Sequence, residues 1–339
     1  MNFNLNCPIC GEGKGELNIS SLEYVCNSCG YVFPQTEELK KHIDKIRASY
    51  RVKDETIKSM NNFEVPWNGD EELIDQIVME GFQDRIKFMY LPAAPEDSIS
   101  TRCKGLGEEQ SFEDRKEVEN VVKKLKDNNI QPAILFQRKT NEDVIPYYVE
   151  ELGVKHFIVG EDKTAFALRE RYGKDVHLTA SITKCLLPEN YDFYSKERAD
   201  LYDIFILMFI FNRNLDAIKK LPKNLKYGIM PNSYCLYNCR WYMKHWFVKN
   251  EKQWRESQTC RYIRPQSTLD QRTYIPPKDI WLFDPYIDTY KLVDRTFDTY
   301  TIMYHLYNYI NANLNYHPPL SANYNEGRGI FERIFPPQF

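Results

Sequence analysis

The chain has 339 residues, 42% of them hydrophobic, and its 45 basic and 48 acidic residues leave a formal net charge of −3. A nearly neutral chain has no overall attraction to nucleic acid or to an anionic membrane, so a polyanionic partner would need a local patch. Single cores stop growing at roughly 250 to 300 residues. We therefore expect two folded units, one large and one small.

The apolar segments are too short to span a membrane. The longest, IFILMFIF at 204–211, has eight residues against the roughly 20 that a bilayer requires. Cys7 and Cys10 lie where a secretory leader would have its apolar core. Nine cysteines without such a leader suggest a reducing compartment, where paired cysteines more often bind metal than form disulfides. We expect a cytoplasmic protein with no membrane partner.

Four cysteines near the N-terminus have metal-binding spacing. Cys7 and Cys10 are followed, fifteen residues later, by Cys26 and Cys29, and a glycine follows each pair. This spacing is typical of a zinc ribbon, in which two tight turns direct four thiolates at one tetrahedral ion. Rubredoxin-like iron accepts the same sulfurs, and unliganded surface thiols are the remaining alternative. Since about thirty residues cannot bury a core, we predict one structural zinc ion that supplies the folding energy.

The pattern changes after this segment. We predict a zinc ribbon over 1–34, a helical linker over 35–61, a barrel over 62–315 and an irregular C-terminal tail over 316–339. The predicted strands are 86–93, 130–137, 155–161, 176–183, 203–211 and 225–232, and the predicted helices include 111–129 and 141–153. Strand–helix alternation over roughly 250 residues favours a parallel α/β architecture, and a (β/α)8 TIM-like barrel fits the length best.

Chemistry in such a barrel gathers at the C-terminal ends of the strands and on the loops that follow them. This rule selects a set of polar candidates, namely Tyr90, Gln137, Arg138, Glu161, Asp162, Ser181, Asn212, Arg213 and Asn232. Loop caps and solvated polar groups occupy the same positions, so position alone makes each residue only a candidate.

A second group of cysteines follows the predicted strand 225–232. Cys235 and Cys239 come directly after it, and Cys260 follows after a gap of twenty residues. Three thiolates in a pocket shielded by the surrounding aromatic residues would suit an iron–sulfur cluster. A zinc ion held by the three thiolates, alone or with His245, is a second interpretation. Three small apolar core residues without a metal are the third.

The region from this strand to about residue 312 contains IMPNSYCLYNC, TCRYIR, IPPKDIWLF and YKLVDRTFDTYTIMYHLYNYINA. It resembles the C-terminal half of the collagenase-like peptidase family U-32. That family has a cysteine-rich insert after a barrel strand, then a Lys-Asp-Leu element, then a Lys-Ile-Glu-Gly-Arg motif before a helix. The matching residues are Lys278, Asp279 and Ile280 in the second element and Lys291, Leu292 and Arg295 in the third. The resemblance is only architectural over 62–225 and does not extend to the ribbon.

The resemblance implies a cofactor, because several members of that family carry a four-iron four-sulfur cluster on four cysteines. Those members act in oxygen-independent hydroxylation of ubiquinone precursors or of tRNA. This insert offers three cysteines, and three residues separate the first two where the family usually has six. Cys185 or His245 would then be the fourth ligand, or one iron stays open and favours sulfur transfer or dehydration. Val293 and Asp294 replace the Glu-Gly of the last motif.

We therefore expect a barrel enzyme with a 4Fe-4S iron–sulfur cluster that modifies a nucleic acid or a small aromatic or nucleotide-like metabolite. Lys291 and Arg295 would hold a phosphate or carboxylate near the cluster, with Asn232 as a further catalytic candidate. The alternatives are a metal-dependent hydrolase or peptidase of the same barrel family and a non-catalytic zinc-ribbon docking protein. The ribbon would dock nucleic acid or protein, and protein is favoured because Lys14 is the only cation between its cysteines. The sequence identifies neither an electron donor nor an oligomeric state.

Overall fold

The computed structural model describes residues 6–11, 13–18, 23–33, 58–98, 112–137, 139–184, 200–233, 273–293 and 298–313. Within these ranges, no helix combines the length and the apolar character that crossing a bilayer requires. The predicted linker up to residue 57 and the predicted tail lie outside the described residues. The division into four segments therefore stays a prediction.

The described strands form two separate sheets. They are β1 (Gly15–Asn18), β2 (Glu23–Cys26), β3 (Asn62–Pro66), β4 (Ile86–Pro92), β5 (Pro132–Phe136), β6 (His156–Val159), β7 (His177–Ala180), β8 (Ile204–Ile206), β9 (Tyr227–Ile229) and β10 (Thr289–Lys291). Strands β1 and β2 pair antiparallel, whereas β3 to β10 are parallel and form a closed barrel in chain order, with β10 pairing back onto β3. The predicted (β/α)8 TIM-like barrel is confirmed.

Helices and short helical turns connect the barrel strands. The α-helices are α1 (Glu72–Met79), α2 (Arg115–Asp127), α3 (Asp162–Tyr172), α4 (Leu215–Lys219) and α5 (Thr299–Ile310). The 3-10 helices are Gln83–Arg85, Glu142–Val144, Ile182–Lys184, Phe209–Arg213 and Pro277–Phe283, and Tyr147–Glu151 is a π-helical turn. Helix α2 begins after Asp114, whose side chain accepts a hydrogen bond from the Glu117 N–H at 3.1 Å. Its buried Val118, Val121, Val122 and Leu125 form the apolar stripe of an amphipathic helix.

Two predicted elements differ from those observed. The predicted helix over 141–153 consists of the 3-10 helix and the π-helical turn, because Pro146 has no N–H to continue an α-helical ladder. The apolar run 203–211 forms a strand only over β8 and then turns into the 3-10 helix Phe209–Arg213. An apolar run shows that a segment is buried but does not set where its strand ends.

The barrel has an inner and an outer apolar layer. Phe88, Tyr90, Ala133, Leu135 and Ile158 form a cluster of their own, and the residues that alternate with them pack in the larger core that includes the helices. Alternate residues of a strand point to opposite faces, so the smaller cluster lines the barrel interior. In β3, Phe63 and Val65 belong to the outer core, which places Glu64 on the interior face.

The interior is tightly packed around Gly228 of β9. A Cβ atom at this position would lie 2.7 Å from Ile206 Cδ1 and 2.8 Å from Thr289 Cγ2. Gly228 is paired with Ile206 of β8 on one side and with Thr289 of β10 on the other. Both side chains therefore lie next to the glycine. A residue without a side chain at this position leaves room for the side chains of Ile206 and Thr289.

Gly228→Ala is expected to lower the free energy of unfolding by about 1–3 kcal/mol, because an added methyl group overpacks the interior. Urea denaturation of the purified variant measures this. The double variant Gly228→Ala/Ile206→Val removes the nearest methyl group and should recover part of the loss. Unfolding of Gly228→Ala at the wild-type urea concentration would show that the interior is looser than described.

Candidate functional site

The four N-terminal cysteines form a candidate metal centre. The Sγ atoms of Cys7, Cys10, Cys26 and Cys29 all lie within 4.8 Å of one another. The Sγ–Sγ distance is 3.5 Å between Cys7 and Cys29 and 3.6 Å between Cys10 and Cys26. Four thiolates at the usual 2.3 Å from a tetrahedral zinc ion lie about 3.8 Å apart. The cluster can therefore hold one metal ion of that coordination geometry.

Two similar turns present these sulfur atoms. The Gly11 N–H donates to the Cys7 carbonyl at 3.0 Å, and the Gly30 N–H donates to the Cys26 carbonyl, also at 3.0 Å. The φ angles of Gly11 and Gly30 are 70° and 75°, in the left-handed region that glycine occupies without steric cost. This is why a glycine follows each cysteine pair in the sequence.

Backbone N–H groups surround the sulfur atoms. The Ile9 N–H lies 3.4 Å from Cys7 Sγ and the Ser28 N–H lies 3.4 Å from Cys26 Sγ. Burial alone would raise the pKa of the Cys26 thiol, but hydrogen bonds from the backbone of Cys29 and Ser28 lower this pKa to about 6. Metal binding requires the thiolate, so these N–H groups favour the binding form of Cys26. A hydrogen bond from the Tyr31 backbone lowers the pKa of the Cys29 thiol, but burial and the neighbouring thiols act in the opposite direction and raise this pKa to about 12.

Gly13 belongs to this centre although the cysteine spacing does not indicate it. Its N–H donates to Cys10 Sγ at 3.3 Å, and a Cβ atom at this position would lie 2.1 Å from Cys26 Sγ. The backbone of one turn therefore passes directly against a sulfur of the other turn. Only glycine allows that approach.

A buried ion pair lies inside the barrel. It is close to the end of the barrel formed by the C-terminal ends of the strands, which we call the C-terminal mouth. Lys291 Nζ is 3.3 Å from Glu64 Oε2, and the two side chains are 9% and 0% exposed. The ammonium group also lies 3.3 Å from the centre of the Tyr90 ring, and the Tyr90 hydroxyl donates to the Leu292 carbonyl at 2.6 Å. Three side chains from β3, β4 and β10 thus meet where a TIM-like barrel has its chemistry.

The strand register brings this pair together. Lys291 is paired with Glu64 across the β10–β3 contact, and the Leu292 N–H donates to the Glu64 carbonyl at 2.9 Å. Sequence reasoning selected Lys291 and Tyr90 but missed Glu64, because the short β3 was not predicted as a strand. A lone acidic residue in NFEVP was the available signal.

One oxygen of this carboxylate has no partner. Glu64 Oε1 is buried and makes no hydrogen bond to any residue of the described ranges. A buried acceptor that loses water without gaining a donor costs about 1–3 kcal/mol, and more when it is charged. A hydrogen-bond donor placed beside this oxygen would remove that cost.

Asn232 connects the ends of β9 and β10. Its Nδ2 donates to the Val293 carbonyl, and its Oδ1 accepts from the Val293 N–H at 2.8 Å. Asn232 is fully buried, and Val293 is two residues from Lys291. The predicted catalytic candidate thus lies at the mouth, with its amide holding the backbone that carries Lys291.

The cysteine-bearing insert, residues 234–272, is attached at this end of the barrel. The described chain stops at Ser233 and starts again at Thr273, and the Thr273 hydroxyl donates to the Ser233 carbonyl at 3.0 Å. The Ile275 N–H donates to the Pro231 carbonyl at 2.8 Å. The insert therefore leaves and rejoins the barrel at one place, just past the end of β9.

All members of the predicted second cysteine set lie outside the described residues, namely Cys185, Cys235, Cys239, Cys260 and His245. Two predicted candidates elsewhere, Arg138 and Arg295, also lie outside them. Their roles as cluster ligands or anion-binding groups stay predictions.

Other predicted strand-end residues hold loops together. Glu161 Oε2 accepts from the Lys139 N–H at 3.0 Å, and Asp162 Oδ1 pairs with Lys184 Nζ and accepts from the Tyr202 hydroxyl at 2.8 Å. Further contacts join the Gln137 N–H to Ser98 Oγ, the Ser181 N–H to the Val159 carbonyl and Asn212 Nδ2 to the Met230 carbonyl, while Arg213 ends a 3-10 helix. These contacts join neighbouring segments at the strand ends.

The barrel histidines lie at the opposite end. His156 and His177 are the first residues of β6 and β7, and their ring centres are 5.3 Å apart. Burial, reinforced by the positive charge of Lys87, lowers the pKa of each imidazole to about 4. Over the described residues, the N-terminal cysteines are the one group of three or more His, Cys, Asp or Glu side chains placed to share a metal ion.

Comparison with known proteins gives one similar structure to report. No family model and no curated protein matches the chain. The chain is similar to the solved structure of the U32 peptidase Mk0906, with a TM-score of 0.44 and 13% sequence identity over 72% of this chain and 97% of that chain. The barrel assignment rests on the strand order of this chain.

Gly13→Ala is expected to reduce metal binding by the N-terminal cysteines, because the new methyl group would occupy the space of Cys26 Sγ. Elemental analysis of the purified variant measures metal per chain. The neighbouring exposed Lys14 provides the control, and Lys14→Ala should retain the wild-type metal content. Full metal content in Gly13→Ala would contradict the close approach of the two turns.

Lys291→Met is expected to cost about 3–5 kcal/mol of unfolding free energy, because it leaves a buried carboxylate without its cation. Removing both charges in Lys291→Met/Glu64→Gln should cost less than that single change. Urea denaturation of the two single variants and the double variant gives the coupling energy. Additive losses would show that the two side chains do not interact.

Proposed function

We propose that this protein is an iron–sulfur barrel enzyme that modifies a nucleic acid or a small aromatic or nucleotide-like metabolite at the C-terminal mouth. The reaction proposed is oxygen-independent hydroxylation or sulfur transfer. The observation that carries this proposal is the buried Lys291–Glu64 pair. Replacing a buried ion pair with apolar residues is often neutral or stabilising, so stability alone gives little reason to bury these charges. Charged groups buried inside a barrel, close to the C-terminal ends of its strands, are typical of active sites.

The attachment of the insert supports the position of the cluster. Cys235 is two residues beyond Ser233, which is buried past the end of β9 and bonded to Thr273. Cys239 and Cys260 belong to the same insert. When bound, an iron–sulfur cluster would supply electron transfer and, if one iron lacks a protein ligand, a binding position for a substrate atom.

The ion pair modifies the expected role of Lys291. Glu64 neutralises its ammonium group at 3.3 Å, so Lys291 orients Glu64 rather than holding a phosphate alone. In this proposal Arg295 supplies the cation for a phosphate or carboxylate, since a guanidinium binds such groups with two hydrogen bonds. Asn232 positions Lys291 through the Val293 backbone.

The ribbon is proposed to hold zinc and to dock a protein. Four thiolates around one tetrahedral position suit zinc, which needs no further ligand there. Ile9 is 68% exposed and Val32 39% exposed, and Lys14 is the only cation between the cysteines. The near absence of basic residues in the ribbon favours a protein over a nucleic acid, and the exposed Ile9 and Val32 are available for such a contact.

Metal analysis after anaerobic purification is the experiment that tests this function. The wild-type protein is expected to be brown and to contain one zinc and about four irons per chain. Cys235→Ser, Cys239→Ser and Cys260→Ser should each lower the iron content and leave zinc unchanged. Cys103→Ser is the matched control, because Cys103 belongs to neither predicted metal site, and its metal content should be that of the wild type.

The same measurement separates the alternatives. A colourless protein with two zinc ions would favour the metal-dependent hydrolase or peptidase. A single zinc ion without iron would favour a docking protein whose metal is structural. Unchanged iron in all three cysteine variants would exclude the insert as the cluster site.

A further inference from the structure

We propose that Glu64 Oε1 binds a neutral hydrogen-bond donor of the substrate, a hydroxyl or an amide-type N–H, inside the barrel. This inference rests on the proposed function in one respect, the placement of the active site at the C-terminal mouth. It assigns Glu64 to substrate binding and narrows the substrate to one whose innermost group is uncharged.

Glu64 carries a buried acceptor atom that lacks a hydrogen-bond donor. Glu64 is fully buried, and its Oε2 faces Lys291 Nζ, while Oε1 has no hydrogen-bond partner within the described ranges. An ionised carboxylate only accepts hydrogen bonds, so the missing partner must be a donor. A substrate hydroxyl or N–H that enters from the mouth would satisfy it.

The charges around Glu64 are already balanced. Lys291 and Glu64 form a pair with no net charge, and the Tyr90 ring covers the ammonium group at 3.3 Å. A further anion at this depth would compete with Glu64 for Lys291, and a further cation would compete with Lys291 for Glu64. Either would leave a buried charge uncompensated. A neutral donor meets the need of Oε1 and leaves the pair intact.

A second buried acceptor lies near the strand ends. Asn212 Oδ1 is buried and has no hydrogen-bond partner among the residues that the structure describes. Asn212 Nδ2 is bonded to the Met230 carbonyl, which leaves Oδ1 as an acceptor. Rigid aromatic groups with neutral N–H or O–H donors, such as nucleobases and phenols, have the chemistry that these atoms require.

Matched probe pairs test the inference on the full-length, anaerobically purified protein. Phenol and anisole differ by the O–H donor, and uracil and 1,3-dimethyluracil differ by their N–H donors. Isothermal titration and ligand-observed NMR should show about tenfold or tighter binding of each donor over its methylated form, the factor that corresponds to one buried hydrogen bond. Equal binding within both pairs would overturn the inference and would indicate that Oε1 is satisfied by water.

A charged pair separates this inference from the proposed function. Benzamide should bind more tightly than benzoate, because only benzamide is neutral and offers N–H donors. Tighter binding of benzoate would overturn the neutral-donor site and leave the iron–sulfur proposal standing. Absence of iron would overturn the iron–sulfur proposal and leave the probe preferences unaffected.

Variants locate the binding site. Glu64→Met/Lys291→Met removes both charges together, and the preference for phenol over anisole should disappear. Glu170→Gln, an exposed carboxylate on α3, is the control and should keep the preference. A folded double variant that keeps the preference would show that phenol binds elsewhere and would overturn the inference. If the double variant does not fold, the wild-type probe pairs decide.

Discussion

Closure of the barrel places two opposite charges in its interior, and the candidate site depends on that pairing. Strand β10 has three residues, and its last residue, Lys291, lies in register with Glu64 of β3. An isolated charge at this depth would be strongly unfavourable, so each side chain requires the other. The backbone reinforces the same seam, because the Leu292 N–H donates to the Glu64 carbonyl. The contact that closes the barrel therefore also positions the carboxylate.

The contacts of β9 continue this arrangement toward the C-terminal mouth. Gly228 leaves room for side chains of β8 and β10, and beyond it Asn232 makes two hydrogen bonds with Val293. The chain that enters and leaves the insert is tied at Ser233 and Thr273. Both attachment points of residues 234–272 therefore lie beside Asn232 at the C-terminal mouth.

The sequence predicted those features whose residues lie close together along the chain, and it missed those that depend on contacts between distant residues. The apolar runs of β4 to β7 predicted strands, and the cysteine spacing predicted the metal centre, because one tetrahedral ion fixes both turns. Strands β3 and β10 were missed because they are short and contain the charged residues Glu64 and Lys291. Gly13 was missed because its contact with Cys26 Sγ joins two distant turns. The role of the insert cysteines as cluster ligands stays a prediction.

The residues that break the apolar strand pattern are therefore the ones to which we assign the proposed chemistry. A polar residue in a buried strand opposes folding unless a partner compensates it, and Lys291 compensates only one of the two Glu64 oxygens. In the proposed site, a donor of the substrate would compensate the other oxygen. Since the pair is already neutral, that donor would bring no charge, and the charged part of a nucleotide-like substrate would remain at the mouth. Recognition of a neutral group in the interior would then be separate from recognition of an anion at the entrance.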